Sequence, residues 1–160
     1  MIEKIEAIED QLNKIGPKGY KTLYEEIRQE QPLLSAFFLG FKMDGYGNYL
    51  QGALLRGIFA VYLYYKEEAF FQKKLGYAAF KEMRDEQLHF LEFMESQPMM
   101  ISKEDLTGKM VKALEDQQLF SYIIRGFETS QAFNGLPPEE KGTIALEFKV
   151  LLELIQQQKK

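Results

Sequence analysis

The single histidine, His89, stands three residues after Glu86 in Glu86-Gln87-Leu88-His89 and four after Asp85. On a helix, E-x-x-H turns a carboxylate and an imidazole to one side, and in helical di-iron proteins two such pairs join two further glutamates around a metal pair. This chain has one such pair, because it has one histidine. On a helical wheel His89 shares its side with Glu82, Asp85 and Glu86, opposite Phe80, Met83 and Leu91. The reading is therefore a solvated histidine, with no metal and no cofactor. The same imidazole would have to act as the base of any Ser-His-Asp or Cys-His arrangement. Cysteine is absent and no serine lies in a G-x-S-x-G turn. Phosphate loops of the G-x-x-x-x-G-K-[ST] or G-x-G-x-x-G type are also missing. No catalytic residue is assigned, and a non-enzymatic role is expected.

Two arginines carry the second possibility. Arg56 is the one formal charge between Asp44 and Lys66, and Arg125 is the one basic residue of the apolar span 119–133. A guanidinium cannot shed its proton, so away from water it must meet carboxylate, phosphate or backbone acceptors. One reading is a structural bridge to an acidic residue of a neighbouring helix, or a side chain that reaches the surface along its own stem. The sharper reading is a shared pocket for a small anionic or aromatic ligand, formed by Arg56, Arg125, Tyr62 and Tyr122. Spacing alone does not say whether the two arginines converge.

The third possibility is contact with protein. Thirteen Phe and nine Tyr with no Trp supply much of the packing volume, and rings pointing to several sides of one helix are hard to bury within a single chain. Tyr64 and Phe71, two turns apart, lie off the main apolar side. At the N-terminus Ile2, Ile5, Ile8, Leu12 and Ile15 form a narrow stripe that docks on the chain's own core or, as a short seam, pairs with a second copy. Ile5, Ile8, Leu12, Tyr64 and Phe71 are thus the expected surface of a symmetric homodimer. A self-associating protein–protein interaction module is the leading reading of function, and a receptor for an anionic ligand is the alternative.

Composition narrows the partners. The 20 basic residues are dispersed among 24 acidic ones for a net charge of −4, which leaves no basic stripe for nucleic acid. After Arg56 the longest uncharged apolar run, 57–65, is far shorter than the roughly 20 residues that cross a bilayer. The absence of cysteine suits a reducing compartment, and the acidic, alternating-charge pattern of 1–11 does not resemble a secretory signal. The cytoplasm is the expected location.

The elements that must hold these residues are all helical. The run after Asp44 is apolar over well more than half of a helix circumference, and such a helix is enclosed on several sides. It is expected to span about 49–75 and to form the centre of one domain, 1–160, an all-α bundle of seven or eight helices. Before it, Gly16-Pro17-Lys18-Gly19 separates a first helix over 2–15 from a second over about 20–30, and Pro32 opens a third. Asn48 is the expected N-cap of the central helix. After it come an amphipathic helix over 77–96, a helix over about 103–116 opened by Ser102 and Asp105, an apolar run over 119–133, and a last helix over about 138–157. Asn134-Gly135 reads as a helix end and not as a hairpin turn, since helical patterns flank it.

Overall fold

The computed structural model describes residues 2–43, 45, 47–67, 73–96 and 114–158. These form eight helices and no strand: α1 (Ile2–Lys14), α2 (Gly16–Glu30), α3 (Pro32–Met43), α4 (Asn48–Tyr65), α5 (Tyr77–Ser96), α6 (Gln117–Glu128), α7 (Gln131–Asn134) and α8 (Pro138–Gln157).

The apolar run after Asp44 does form the centre. Leu54, Phe59, Ala60 and Val61 have no exposed surface, and α4 packs against α1, α2, α3, α6 and α7. Gly57 permits the closest of these approaches. A Cβ there would lie 3.2 Å from the Phe148 ring of α8 and 3.3 Å from Ile123 of α6. On the far side α8 packs on α5 and α6 and buries Phe148, Val150, Leu151, Leu152 and Ile155 completely. The Phe148 ring meets Phe37 and Phe127 edge-on at 5.1 Å and stacks with Phe41 at 6.2 Å, so three helices share one aromatic centre. Edge-to-face pairs of this kind add roughly 0.5–1.5 kcal/mol beyond burial of their area.

Gly16 ends α1 in the left-handed region, with φ of 70°, and the chain turns directly into α2. This is the conformation that only glycine adopts cheaply. Four boundaries differ from expectation. The second helix starts at Gly16 and not near 20, because Pro17 is accommodated in its first turn, where a missing N–H costs nothing. The central helix stops at Tyr65 and does not run to 75, because the chain at Lys73 and Leu75 is held by the side chain of Gln31. That buried amide donates to the Lys73 carbonyl and accepts from the Leu75 amide, both at 2.9 Å. The apolar run 119–133 is two helices, α6 and the short α7, separated where Ser130 caps the second through its side chain. Gly47 precedes α4 in the capping position, and Asn48 is already helical. The helix expected over 103–116 falls outside the described residues except for 114–116, which are not helical.

Candidate functional site

Where α1, α4 and α6 meet, the surface opens into a groove of about 890 Å³. Its floor is apolar. Gly57 and Ile123 are buried there, and Ile5, Ala53 and Tyr122 are half-buried. The α1 rim carries Glu6 and Glu9, which are exposed, and the α6 rim carries Gln118, Ser121, Arg125 and Thr129. Helical periodicity explains this rim. Residues 118, 121, 125 and 129 recur every three or four positions and so stand in one row, along the full α6 length of about 18 Å. Arg56 enters the groove from α4 between the two rims.

Arg56 and Arg125 therefore line one space, as the sharper reading of the two arginines expects, and Tyr122 joins them. The contacts of Arg56 are with neutral oxygens. Its guanidinium donates to the Asn13 side-chain carbonyl at 2.8 Å and to the Tyr20 hydroxyl at 3.4 Å. Tyr20 in turn donates to the carbonyl of Leu12, which fixes the hydroxyl. Arg125 is exposed, and among the described residues it donates only to the Ser121 carbonyl of its own helix, at 3.4 Å. Among the described residues no carboxylate oxygen lies within 4.0 Å of either guanidinium. Among the described residues neutral oxygens, those of Asn13 and Tyr20 with the Tyr122 phenol beside them, stand where a structural bridge would have placed a carboxylate. Burial pushes the Tyr122 phenol above its ordinary value; Arg56 opposes the shift and Glu9 adds to it.

Tyr62 is not part of this groove. Its hydroxyl donates to Glu26 of α2 at 2.6 Å, and Lys66 approaches the same carboxylate at 3.5 Å. Burial and the Glu26 carboxylate together raise its phenol well above the usual range. Six residues separate Tyr62 from Arg56, which at about 100° each sets them about 120° apart around α4.

The surface expected for a homodimer is largely internal. Ile8, Leu12 and Tyr64 are 5%, 1% and 6% exposed, because α1 docks along α4 and α6 of its own chain and leaves these side chains no face for a second copy. Tyr64 is enclosed from two directions: Lys4 of α1 sits 4.1 Å above its ring, and its hydroxyl donates to Asp116 at 3.2 Å. Ile5 is half-buried and borders the groove. Phe71 lies outside the described residues. His89 is exposed on α5, away from the groove lining.

Comparison of the chain with family models, with curated proteins and with solved structures gave no match. Its site has to be read from its own geometry. Two groups there were not singled out by sequence. Glu6 and Glu9 look like ordinary solvated positions of an amphipathic helix, and the one available hint is that they flank the Ile5, Ile8 and Leu12 stripe. Asp116 lies just ahead of α6, where its carboxylate accepts from Tyr64, from Tyr65 and, at 3.2 Å, from the Gln156 amide of α8. Its side chain makes no bond to the first turn of α6. It therefore ties the start of the groove wall to the core. Among the described residues no three His, Asp or Glu side chains are grouped to hold a metal ion, and no helix is long and apolar enough to cross a membrane.

Proposed function

We propose that this protein is a binding protein without catalytic activity, and that it recognises an anionic ligand in the groove between α1, α4 and α6. The observation that carries the proposal is the pair of guanidiniums in one groove, neither met by a carboxylate of the described chain. A half-buried Arg56 satisfied only by neutral oxygens keeps its full charge, and the apolar floor beside it lowers the local dielectric and strengthens attraction to an anion. The volume falls within the roughly 300–1,000 Å³ of small-molecule sites. Tyr122 and Ile123 favour a ligand with an aromatic or apolar body. The cysteine-free composition supports a reducing setting such as the cytoplasm.

Calorimetric titration with phenylacetate and phenyl phosphate tests the reading. Loss of one charge-assisted contact should weaken either probe about tenfold or more in Arg56→Met and in Arg125→Met. Arg28→Met on α2, whose guanidinium pairs with Glu25 at 2.9 Å, should bind as the parent does. Absence of binding, or equal binding by all three variants, would overturn the proposal.

A further inference from the structure

The groove holds charges of both signs that do not satisfy one another. Glu6 and Glu9 on the α1 rim face the same space as Arg56 and Arg125, yet none of the four is within 4.0 Å of an opposite charge among the described residues. Four formal charges line one space without pairing, so each is open to an opposite charge brought in by a ligand. A purely anionic ligand would meet the arginines and be repelled by the α1 rim. A ligand with an ammonium and a carboxylate at its two ends would meet both rims favourably while its body covered Ile5, Ala53, Tyr122 and Ile123.

We infer that the natural ligand is dipolar, an amino acid or short peptide with an apolar or aromatic side chain, its carboxylate toward Arg56 and Arg125 and its ammonium toward Glu6 and Glu9. This rests on the anion-binding reading above and adds the second charge. The rims belong to different helices, so the separation of the two ligand charges sets which length fits. A free amino acid holds them at one carbon, and each added residue moves them up to about 3.5 Å further apart.

The test uses the whole chain and two matched probe series. The first is phenylalanine, Ala-Phe and Ala-Ala-Phe; the second is the same three molecules with the amino group acetylated, which keeps the carboxylate and removes the ammonium. At least one free form should bind about tenfold tighter than its acetylated partner, the scale of one charge-assisted contact. The best member identifies the source as a free amino acid or a peptide. The advantage should disappear in the Glu6→Gln, Glu9→Gln double variant and persist in Glu86→Gln on α5. Acetylated forms that bind as well as free ones in the parent protein would overturn the dipolar inference, whatever the variants do. An advantage that survives the double variant would overturn it too. In both cases phenylacetate binding that depends on Arg56 would still stand, so failure of the second charge is distinguishable from failure of the first.

Discussion

Lys149 and Arg56 both stand at helix contacts, and their surroundings differ. Lys149 of α8, 5% exposed, lies against α5 with its ammonium donating to Glu153 and, at 3.0 Å, to the Gln87 side chain, which itself donates to Glu153 at 2.6 Å. That triad is closed: the charge, its counter-charge and the amide between them satisfy one another. Among the described residues Arg56 of α4 meets the neutral oxygens of Asn13, Tyr20 and Tyr122 and no carboxylate, and it faces a groove. A charge neutralised inside the chain holds helices together. A charge left with its field intact at a concave surface is disposed toward something from outside.

The largest effect that tests this contrast is at the closed triad. Glu153→Leu removes the counter-charge and leaves the Lys149 ammonium buried without it, which should cost about 3 kcal/mol, the lower end for a broken buried pair since Glu153 is itself partly exposed. Urea unfolding would measure it, and a loss below about 0.5 kcal/mol would mean that Lys149 escapes to water. Next comes the close approach beneath the groove. Gly57→Leu must displace Phe148 or Ile123 and should cost about 2 kcal/mol by overpacking, with phenylacetate binding lost in parallel if the floor is where the ligand rests.

Tyr65→Phe removes one of the donors to Asp116 and should cost about 1.5 kcal/mol. The same residue gives a pH dependence. Burial and the Asp116 carboxylate hold the Tyr65 phenol far above its ordinary value, so the folded chain keeps a proton that the unfolded chain releases near pH 10. The stabilisation is complete below that pH and declines as pH rises beyond it. Unfolding midpoints measured from pH 8 to pH 11 should therefore fall at the alkaline end, and less steeply in Tyr65→Phe. A slope unchanged by the substitution would assign the alkaline loss to other groups. The smallest effect is at Arg56. Arg56→Met breaks hydrogen bonds to neutral partners only and should cost about 1 kcal/mol; a loss of about 3–5 kcal/mol would reveal a buried carboxylate partner after all.

Legibility in the sequence followed the physics of each element. The central helix could be read because a stretch of twenty-odd residues with one charge has few other uses, and 77–96 and 138–157 because Gly76, Pro98 and Pro137 stand at their ends. The end of α4 could not. Glu67, Lys73 and Lys74 are acceptable helix formers, and the hold on Lys73 and Leu75 is a side chain 42 positions from Lys73. Arg56 and Arg125 stood out as isolated cations. Their meeting in one groove, with Glu6 and Glu9 on its rim, is a product of three-helix packing and has no local signature. The misplaced Tyr62 is different, since its angle from Arg56 around the helix was available and argues against a shared wall.

Phe148 has a consequence for how the chain is made. Its ring joins Phe37 and Phe41, from α3, to Phe127, so the aromatic centre draws on residues more than a hundred positions apart. During vectorial synthesis the first four helices emerge with Phe37 and Phe41 already in contact with each other and the ring that packs against both not yet translated. Contacts of such long sequence separation form late and slowly, and apolar surface waiting for them is exposed to association with other chains. The aromatic centre therefore closes only once α8 has left the ribosome, and until then the half-built bundle is the form of this protein that a chaperone would meet.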